Sequence, residues 1–581
     1  MATESKLDTL TALHVGFRSR YISYEELTQQ IHAWASAFPE LVRVSSIGRS
    51  VESRELWLLT IGPDPERTRP AVWVDGNMHA QELCGSSVAL AIAEDVLRFH
   101  LAPEQEAHGL PAGVRERLRD VVFYILPRMC PDGAECILTT GRYVRSNPRD
   151  RRPPAPEPRW LSQDIDGDGV ALLMRKPDTT GEFVASAAAP GLMVPRRIED
   201  DGPFYKVFPE GMIEHFDGSS VPDPYFLGDN DTDLNRNFPW SWMPEPTQEG
   251  AGRFPLSEPE SRAVVEFTTQ HPEIFAWLNL HTFGGVYIRP SGHESDRKMN
   301  QEDLELFRQI EEWGQSVGGY PMVSGFEEFL YEPDKPLHGD LADYAYHQRG
   351  AIGFVCELWD LFREIGMEKK KPFVDHYSQF SVDDMVRLAK WDAEKNASRA
   401  IRPWKTFEHP QIGTVELGGI DPRVGLVNPP FERLAEVCQR QTDFLLRLAA
   451  LAPRISIAET RTMPLGNGAW RVEATIRNDG YLPSYVLASA KTLKWNHPIA
   501  VDATGVGCRL ADSSMARRDV GHLEGWGRGR FGLSAAAFYQ RSRGSVSSKT
   551  MSWVVTGEGT LTLRAGSCRV GWAEQTVNVT R

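Results

Sequence analysis

AVWVDGNMHAQELCGSS, residues 71–87, is an apolar run that gives way to a polar turn carrying a histidine and a glutamate. The run AVWV has the composition of a buried strand. The following SSVALAIAEDVLRFH has apolar residues at helical spacing, so the chain passes from strand to helix within this stretch. His79 and Glu82 stand three residues apart at that junction, the kind of position where open α/β sheets bind ligands.

The segments on either side of this junction indicate an α/β domain. SYEE at residues 23–26 has the form of a capping box, and we expect a helix from about Tyr24 to Phe38. LVRVSSIG, ELWLLTIG and VVFYILPRM are strand-like, and strands alternating with helices are typical of α/β folds. IFAWLNLHTF and AIGFVCELWD are apolar runs that contain His281 and Glu357 near their ends, residues that a core would not select.

The pattern changes from about residue 402, where the chain becomes rich in proline and glycine. FERLAEVCQRQTDFLLRLAAL then predicts one amphipathic helix. WRVEATIRN alternates strictly, and TMSWVVTGEGTLTLRAG predicts a hairpin about a glycine-rich turn. The expected organisation is a tail, an α/β domain with an insertion, a linker with a helix, and an all-β sandwich-like domain. Their expected bounds are 1–20, 21–400 with the insertion at about 150–230, 401–454 and 455–581.

Composition limits the partners and the cellular location. Against 64 basic side chains there are 79 acidic ones, a net charge of −15, which argues against nucleic acid or an anionic membrane as partner. The amino terminus lacks the pattern of a signal peptide, and no long apolar run follows, so we expect a cytoplasmic protein. Seven scattered cysteines without CxxC spacing favour reduced thiols.

One His-x-x-Glu pair is about what fifteen histidines produce by chance, so His79 and Glu82 need support from elsewhere. Further motifs follow in order, namely GRYVRSNPRD with Arg145, DTDLNRNFPW, LNLHTF and FVCELWD. With these motifs in this order, residues 20–400 outside the insertion resemble the zinc metallocarboxypeptidases of the carboxypeptidase A type. The resemblance implies a mixed eight-stranded sheet flanked by helices and one Zn²⁺ per chain.

A catalytic zinc site has three protein ligands and one open position, and two histidines with one glutamate form such a set. By resemblance, the ligands are His79, Glu82 and His281. A histidine and a glutamate three apart at a strand end can converge on one ion, and a histidine from a neighbouring strand completes the triangle. The alternative is that these histidines are structural.

The resemblance assigns two catalytic roles. Glu357 is the general base for a zinc-activated water, which must lose a proton as it attacks the carbonyl. Arg145 stabilises the negative charge of the tetrahedral intermediate. Arg142 is an alternative to Arg145 if the register is shifted.

The motif DLNRN matches residues that hold the substrate and the first ligand. Asn235 and Arg236 match the pair that binds the terminal carboxylate of the substrate, which a guanidinium can grip with two hydrogen bonds. Asp233 matches the residue that hydrogen-bonds the first histidine ligand and fixes its tautomer. The alternative is that DLNRN is an ordinary polar turn.

Two positions depart from the family pattern. A tyrosine that caps the substrate carboxylate is expected near residue 335, which is a lysine; Tyr331 is the nearest candidate, with Tyr344 or Tyr346 as alternatives. The floor of the specificity pocket falls on Ala342, which points to an apolar or aromatic C-terminal residue, although Asp340 could reverse that preference.

The insertion contains DIDGDGVALLMRKPD, in which Asp164, Asp166 and Asp168 alternate as in the first half of an EF-hand loop. The twelfth position is Arg175 instead of glutamate, so a complete EF-hand is not expected. The expectation is at most a smaller Ca²⁺ site, and the alternative is a solvated turn without a bound ion. Because substrate-binding segments bracket the insertion, we expect it to border the mouth of the active site.

The leading hypothesis is a zinc-dependent metallocarboxypeptidase, a hydrolase that cleaves the C-terminal peptide bond of peptides or proteins. One alternative keeps the fold but acts on a side-chain, polyglutamate or cell-wall amide. Another is a catalytically silent scaffold in which the β domain binds a partner.

Overall fold

A mixed eight-stranded sheet lies at the centre of the computed structural model, which describes residues 2–105, 108–152, 156–189, 191–226, 232–332, 334–527 and 544–580. The sheet has both parallel and antiparallel pairs. Its strands in spatial order are Val42–Arg49, Glu55–Ile61, Val122–Leu126, Ala71–Gly76, Ile274–Thr282, Ile352–Leu358, Val286–Arg289 and Met322–Ser324.

The register of the central strands determines where the polar residues meet. Ala71–Gly76 and Ile352–Leu358 both run parallel to Ile274–Thr282, whose nine residues are all buried. His281 is paired with Glu357, and Leu280 is paired with Gly76. The carboxyl ends of three parallel strands therefore meet at one edge, where α/β sheets bind ligands.

Helices cover both faces of this sheet because its strands alternate their side chains between two cores. Val72 and Val74 pack with the helices Tyr24–Ala37 and Cys84–Leu101, whereas Trp73 packs on the other face with Pro259–Gln270. The other α-helices are Ala2–Ala12, Ala112–Leu118, Pro131–Thr140, Gln301–Trp313, Gly325–Glu328, Leu341–Asp343, Leu361–Glu364, Asp375–Ser378, Val382–Lys395 and Phe431–Ala449. Short 3-10 or π turns span Leu234–Arg236, Gly314–Gly318, Tyr344–Gln348, Ser489–Thr492 and Ser513–Ala516.

The amino-terminal segment is more ordered than the predicted tail. Residues Ala2–Ala12 form a helix, and Leu10 and Phe17 are fully buried in the core. The capping box is present as predicted, with Ser23 and Glu26 bonding reciprocally at the start of Tyr24–Ala37.

The insertion and the predicted linker share one six-stranded sheet. Its strands in spatial order are Ile401–His409, Gly413–Ile420, Leu173–Pro177, Tyr205–Pro209, Phe183–Ala185 and Met193–Pro195. Arg159–Ser162 and Gly211–Glu214 pair separately. Within the segment expected to be a linker, residues 401–420 form a hairpin.

The C-terminal segment is all-β, as predicted. One sheet comprises Ile455–Gly466, Ala469–Asn478, Ser548–Thr556 and Arg509–Leu510, and the other comprises Arg517–Gly521, Ile499–Val506, Gly559–Ser567 and Gly571–Val579. Their inner faces share one core that includes Val472, Ala474 and Ile476. The predicted hairpin is wrong, because Ser548–Thr556 and Gly559–Ser567 belong to different sheets and the turn between them crosses from one to the other.

All seven cysteines are free, in agreement with the expected reduced thiols. In the described part of the chain, no helix combines the length and the apolar character needed to cross a membrane.

Candidate active site

A tight turn after the strand Ala71–Gly76 positions the first two candidate ligands. Asn77 has a left-handed backbone, with φ of 57°, and its Nδ2 donates to the carbonyls of His79 and Ala80 at 2.7 and 3.1 Å. A Cβ on Gly76 would lie 2.4 Å from the carbonyl oxygen of Gly85. The strand can therefore pack closely on the start of the next helix only because residue 76 is glycine.

Two imidazole nitrogens and the carboxylate of His79, Glu82 and His281 form a small triangle at this turn. His79 Nδ1 lies 2.8 Å from Glu82 Oε1 and 3.0 Å from His281 Nδ1, and His281 Nδ1 lies 3.1 Å from Glu82 Oε2. The three side chains are at most 3% exposed. Burial would raise the pKa of Glu82, but the two imidazoles outweigh it and lower the pKa.

Outer hydrogen bonds orient both imidazoles toward the triangle. His79 Nε2 lies 2.9 Å from Asp233 Oδ1, and His281 Nε2 lies 2.6 Å from Asn279 Oδ1. With a proton on each Nε2, both Nδ1 lone pairs face one another across 3.0 Å, an arrangement that is unfavourable unless a cation lies between them. The donor set of two neutral imidazoles and one carboxylate fits Zn²⁺.

Two residues of this arrangement were not predicted from the sequence. Asn279, which holds His281, contacts Asp75, and Asp75 also accepts hydrogen bonds from the indole groups of Trp73 and Trp277 at 2.7 and 2.8 Å. The available signal was a polar residue two positions before His281 in an otherwise apolar strand. Burial raises the pKa of Asp75 to about 6.

Glu357 lines the same cavity as His79 and His281. Among the described residues, no group donates a hydrogen bond to its carboxylate. Burial and the neighbouring charge of Glu82 raise the pKa of Glu357 to about 8, and His281 opposes them. A bound metal cation would lower that pKa and favour the carboxylate.

Arg145 is held at the edge of the triangle by Asp233. Its Nε and Nη2 donate to Asp233 Oδ2 at 3.1 and 2.8 Å, and its Nη1 lies 3.8 Å from Glu82 Oε1. Arg142 instead donates to the carbonyl of Ser162 and contacts the sulfur of Cys136. The structure thus places Arg145 at the site, and Arg142 away from it.

Asn235 and Arg236 line the cavity as well. Asn235 Oδ1 accepts from the amide of Leu341 at 2.9 Å, which leaves its Nδ2 without a protein acceptor in the described part of the chain. Arg236 Nη1 donates to the carbonyl of Asn235 at 2.8 Å, and no described carboxylate pairs with the Arg236 guanidinium. An anionic group entering the cavity would therefore meet an amide and a guanidinium that is not in a close ion pair.

The three candidate tyrosines differ in whether they reach the cavity. Tyr331 lines the cavity and is half-exposed. Tyr344 and Tyr346 are buried, and their hydroxyls bond to Thr268 and Asp303. Tyr331 is thus the one of the three that can approach a substrate.

The cavity wall carries both an apolar residue and an acid. Ala342 and Asp340 both line it. Asp340 Oδ1 accepts from the amide of Asp343 at 2.8 Å, while its Oδ2 is buried without a hydrogen-bond partner among the described residues. Burial and the charge of Asp343 raise the pKa of Asp340 to about 7.

The Ca²⁺ site expected at Asp164, Asp166 and Asp168 is not supported. Asp164 accepts hydrogen bonds from the amides of Gly167 and Gly169, and the other two carboxylates each accept from an amide of the same turn. These contacts are typical of a self-bonded aspartate turn on the surface. None of the described insertion residues lines the cavity, so its expected place at the mouth stays a prediction.

Comparison with known proteins gives a consistent similarity. A family model described as zinc carboxypeptidase matches residues 27–365, which is more than half of the 581-residue chain. A model of a domain of unknown function matches residues 454–578.

Individual relatives are distant. Carboxypeptidase A6 of Mus musculus is 31% identical over 126 residues, which are 22% of this chain and 27% of that protein. Mast cell carboxypeptidase A of Homo sapiens is 22% identical over 354 residues, 59% of this chain and 64% of that protein. The chain thus spans less than two thirds of either relative.

Among solved structures, thrombin activatable fibrinolysis inhibitor is 18% identical with a TM-score of 0.39, covering 67% of this chain and 80% of that one. Carboxypeptidase A from Helicoverpa armigera is 19% identical with a TM-score of 0.37, covering 69% and 80%.

Proposed function

Because the chain belongs to the zinc carboxypeptidase family, we propose that it removes single residues from the C-termini of peptides or proteins. The observation that carries this proposal is the guanidinium of Arg236, which forms no close ion pair with a described carboxylate and lies beside Asn235 in the cavity that also contains Glu357. A guanidinium and an amide are suited to bind a terminal carboxylate. An enzyme that cuts internal peptide bonds has no use for this pair.

Each residue of the site has a separate role in hydrolysis. His79, Glu82 and His281 would hold Zn²⁺, which when bound would supply Lewis acidity and lower the pKa of a bound water. Glu357 accepts the proton of the attacking water and delivers it to the leaving amine. Arg145, fixed by Asp233, stabilises the negative charge that develops on the carbonyl oxygen.

The residues at the other end of the cavity orient the substrate. Arg236 and Asn235 bind the terminal carboxylate, and Tyr331 covers it from the half-exposed side. Fixing this carboxylate sets the last peptide bond against Glu357, so that binding energy is used for positioning.

For the C-terminal side chain, we propose a preference for lysine or arginine. The buried Oδ2 of Asp340 has no partner among the described residues, and a cationic side chain beside Ala342 would satisfy it. An apolar side chain would leave that oxygen without a hydrogen-bond partner, which is costly in a buried pocket. This proposal takes the alternative in which Asp340 reverses the preference expected from Ala342.

The test is zinc-dependent release of the last residue from benzoyl-Gly-Lys and benzoyl-Gly-Phe, each beside its C-terminal amide. We expect release from the free acids, little from the amides, and faster release of lysine. Apo-enzyme prepared with a chelator should be inactive and should recover on adding Zn²⁺.

Equal cleavage of acid and amide would refute exopeptidase recognition. If zinc binds and no C-terminal residue is released from a mixed peptide library, the activity lies with a polyglutamate or cell-wall amide. If no amide of either kind is cut, the silent scaffold is the better description.

A further inference from the structure

A second group of metal-binding side chains lies outside the site formed by His79, Glu82 and His281. His293, Glu294 and His347 each offer one ligand atom, and these atoms lie within 4.8 Å of one another. We propose that this group binds a divalent transition-metal ion, with Zn²⁺ as the best-suited ion. The proposal does not depend on the peptidase activity.

His293 is oriented as a metal ligand would be. Its Nδ1 lies 2.6 Å from Asp343 Oδ2 and 2.8 Å from Ser291 Oγ, and the Asp343 side chain is fully buried. The ring is thus fixed through Nδ1, and Nε2 lies on the side of Glu294, 4.0 Å from its Oε1. A carboxylate behind one ring nitrogen is the usual support for a histidine that binds metal through the other.

His347 is held by packing and by Ser291, whose Oγ lies 3.4 Å from His347 Nε2, instead of by a carboxylate. Its ring stacks on Trp240 with centroids 4.4 Å apart and planes inclined by 10°. The ring centroid of His293 lies 5.3 Å away. Two imidazoles from segments more than fifty residues apart therefore converge beside one carboxylate.

A third imidazole adjoins the group. The ring of His338 lies 6.3 Å from that of His293, and its Nδ1 is buried without a hydrogen-bond partner in the described part of the chain. Imidazole donors select Zn²⁺ and its transition-metal neighbours over Ca²⁺ or Mg²⁺, which prefer oxygen alone.

The position of this group connects it with the substrate cavity. Gly292 and Asp343 line that cavity, and the amide of Gly292 donates to Asp343 Oδ1 at 3.1 Å. An ion bound by His293 and Glu294 would hold the neighbouring Gly292 and Asp343, and thus this part of the cavity wall, in place. The proposed ion is therefore structural and supports the cavity wall at Gly292 and Asp343.

The experiment counts zinc per chain by elemental analysis after equilibration of the full-length protein in zinc buffers. Glu294→Gln keeps the size of its side chain, and His347→Phe keeps the stacking on Trp240, so both remove a ligand with little change in packing. Glu332→Gln, an exposed glutamate paired only with Lys335 among the described residues, is the matched control.

We expect two zinc ions in the wild type and in Glu332→Gln, and one in His347→Phe. Glu294→Gln should weaken the second site by at least about 100-fold, since losing an outer partner of a ligand already costs roughly 10–100-fold. A count that is unchanged by both His347→Phe and Glu294→Gln overturns the proposal, whatever the total. If the wild type binds only one zinc ion and both variants lose it, the result would support this site and refute the site formed by His79, Glu82 and His281.

Discussion

His281 and Glu357 occupy paired positions on the neighbouring parallel strands Ile274–Thr282 and Ile352–Leu358. A shift of this register by one residue would move Glu357 to the opposite face of the sheet. The strand pairing alone therefore brings the candidate base to the candidate ligands. No described group donates a hydrogen bond to its carboxylate, which is thus free to accept a proton.

Glu357→Gln should abolish most hydrolysis while zinc remains bound. The amide has nearly the same size but cannot accept the proton of water, and a positioned base contributes about 10²–10⁴-fold to the rate. The measurements are kcat on benzoyl-Gly-Lys and zinc content. A variant that retains more than about a tenth of the wild-type kcat would exclude Glu357 as the base.

Arg236→Met should raise KM and lower kcat/KM by about 10–100-fold, the loss expected for a hydrogen bond to a charged group. With the amidated substrate, the variant and the wild type should differ little, because no carboxylate is present to bind. An equal loss on both substrates would mean that Arg236 acts on the structure of the site instead.

Asp233→Asn should weaken zinc binding and slow hydrolysis together. Asp233 holds the Nε2 of His79 through one oxygen and the guanidinium of Arg145 through the other. Loss of such an outer partner costs roughly 10–100-fold in metal affinity. The comparison is a zinc competition titration against Asp166→Asn, a change at an exposed aspartate that should have no effect.

The sequence was sufficient to predict the junction at residues 71–87, because a strand end and a helix start are local features, and it identified His79 and Glu82 there as candidate ligands. It was not sufficient to predict that the turn near Gly557 connects two different sheets. Two consecutive strands with alternating apolar residues have the same pattern whether they pair with each other or belong to separate sheets. Nor could it predict the group around His293 and His347, whose members come from separate segments and have no common motif. Asn279 was overlooked because it lies inside an apolar strand.

The preference for a C-terminal lysine over phenylalanine should increase with pH. The pKa of Asp340 is raised to about 7, so its carboxyl is mostly neutral at pH 5.5 and ionised at pH 8.5, while lysine stays cationic throughout. The ratio of kcat/KM for benzoyl-Gly-Lys to that for benzoyl-Gly-Phe should rise by about tenfold, or about 1.4 kcal/mol. Taking a ratio cancels the titration of Glu357, which affects both substrates.

Asp340→Asn supplies the control for this pH dependence. The ratio should then be low and flat from pH 5.5 to 8.5. A ratio that still rises in Asp340→Asn would assign the effect to another group of the cavity, and a wild-type preference for phenylalanine at pH 8.5 would restore the expectation based on Ala342.

Arg569→Leu should destabilise the junction between the C-terminal β segment and the central sheet. The guanidinium of Arg569 is fully buried and donates to the carbonyls of Pro272, Ile274, Arg349 and Gly350. Burial lowers the pKa of Arg569 to about 9, yet these carbonyls compensate its charge at neutral pH.

Leucine at this position would leave four carbonyls, most of them buried, without this donor, at a cost of about 3–5 kcal/mol in the free energy of unfolding. Chemical denaturation followed by tryptophan fluorescence measures this loss, and an early separate transition would show that the β segment has detached. Arg564→Leu, at an exposed arginine stacked on Trp572, should change stability by less than about 1 kcal/mol. Equal stability of Arg569→Leu and the wild type would mean that the carbonyls find other donors, and that the two parts are held together by apolar contacts alone.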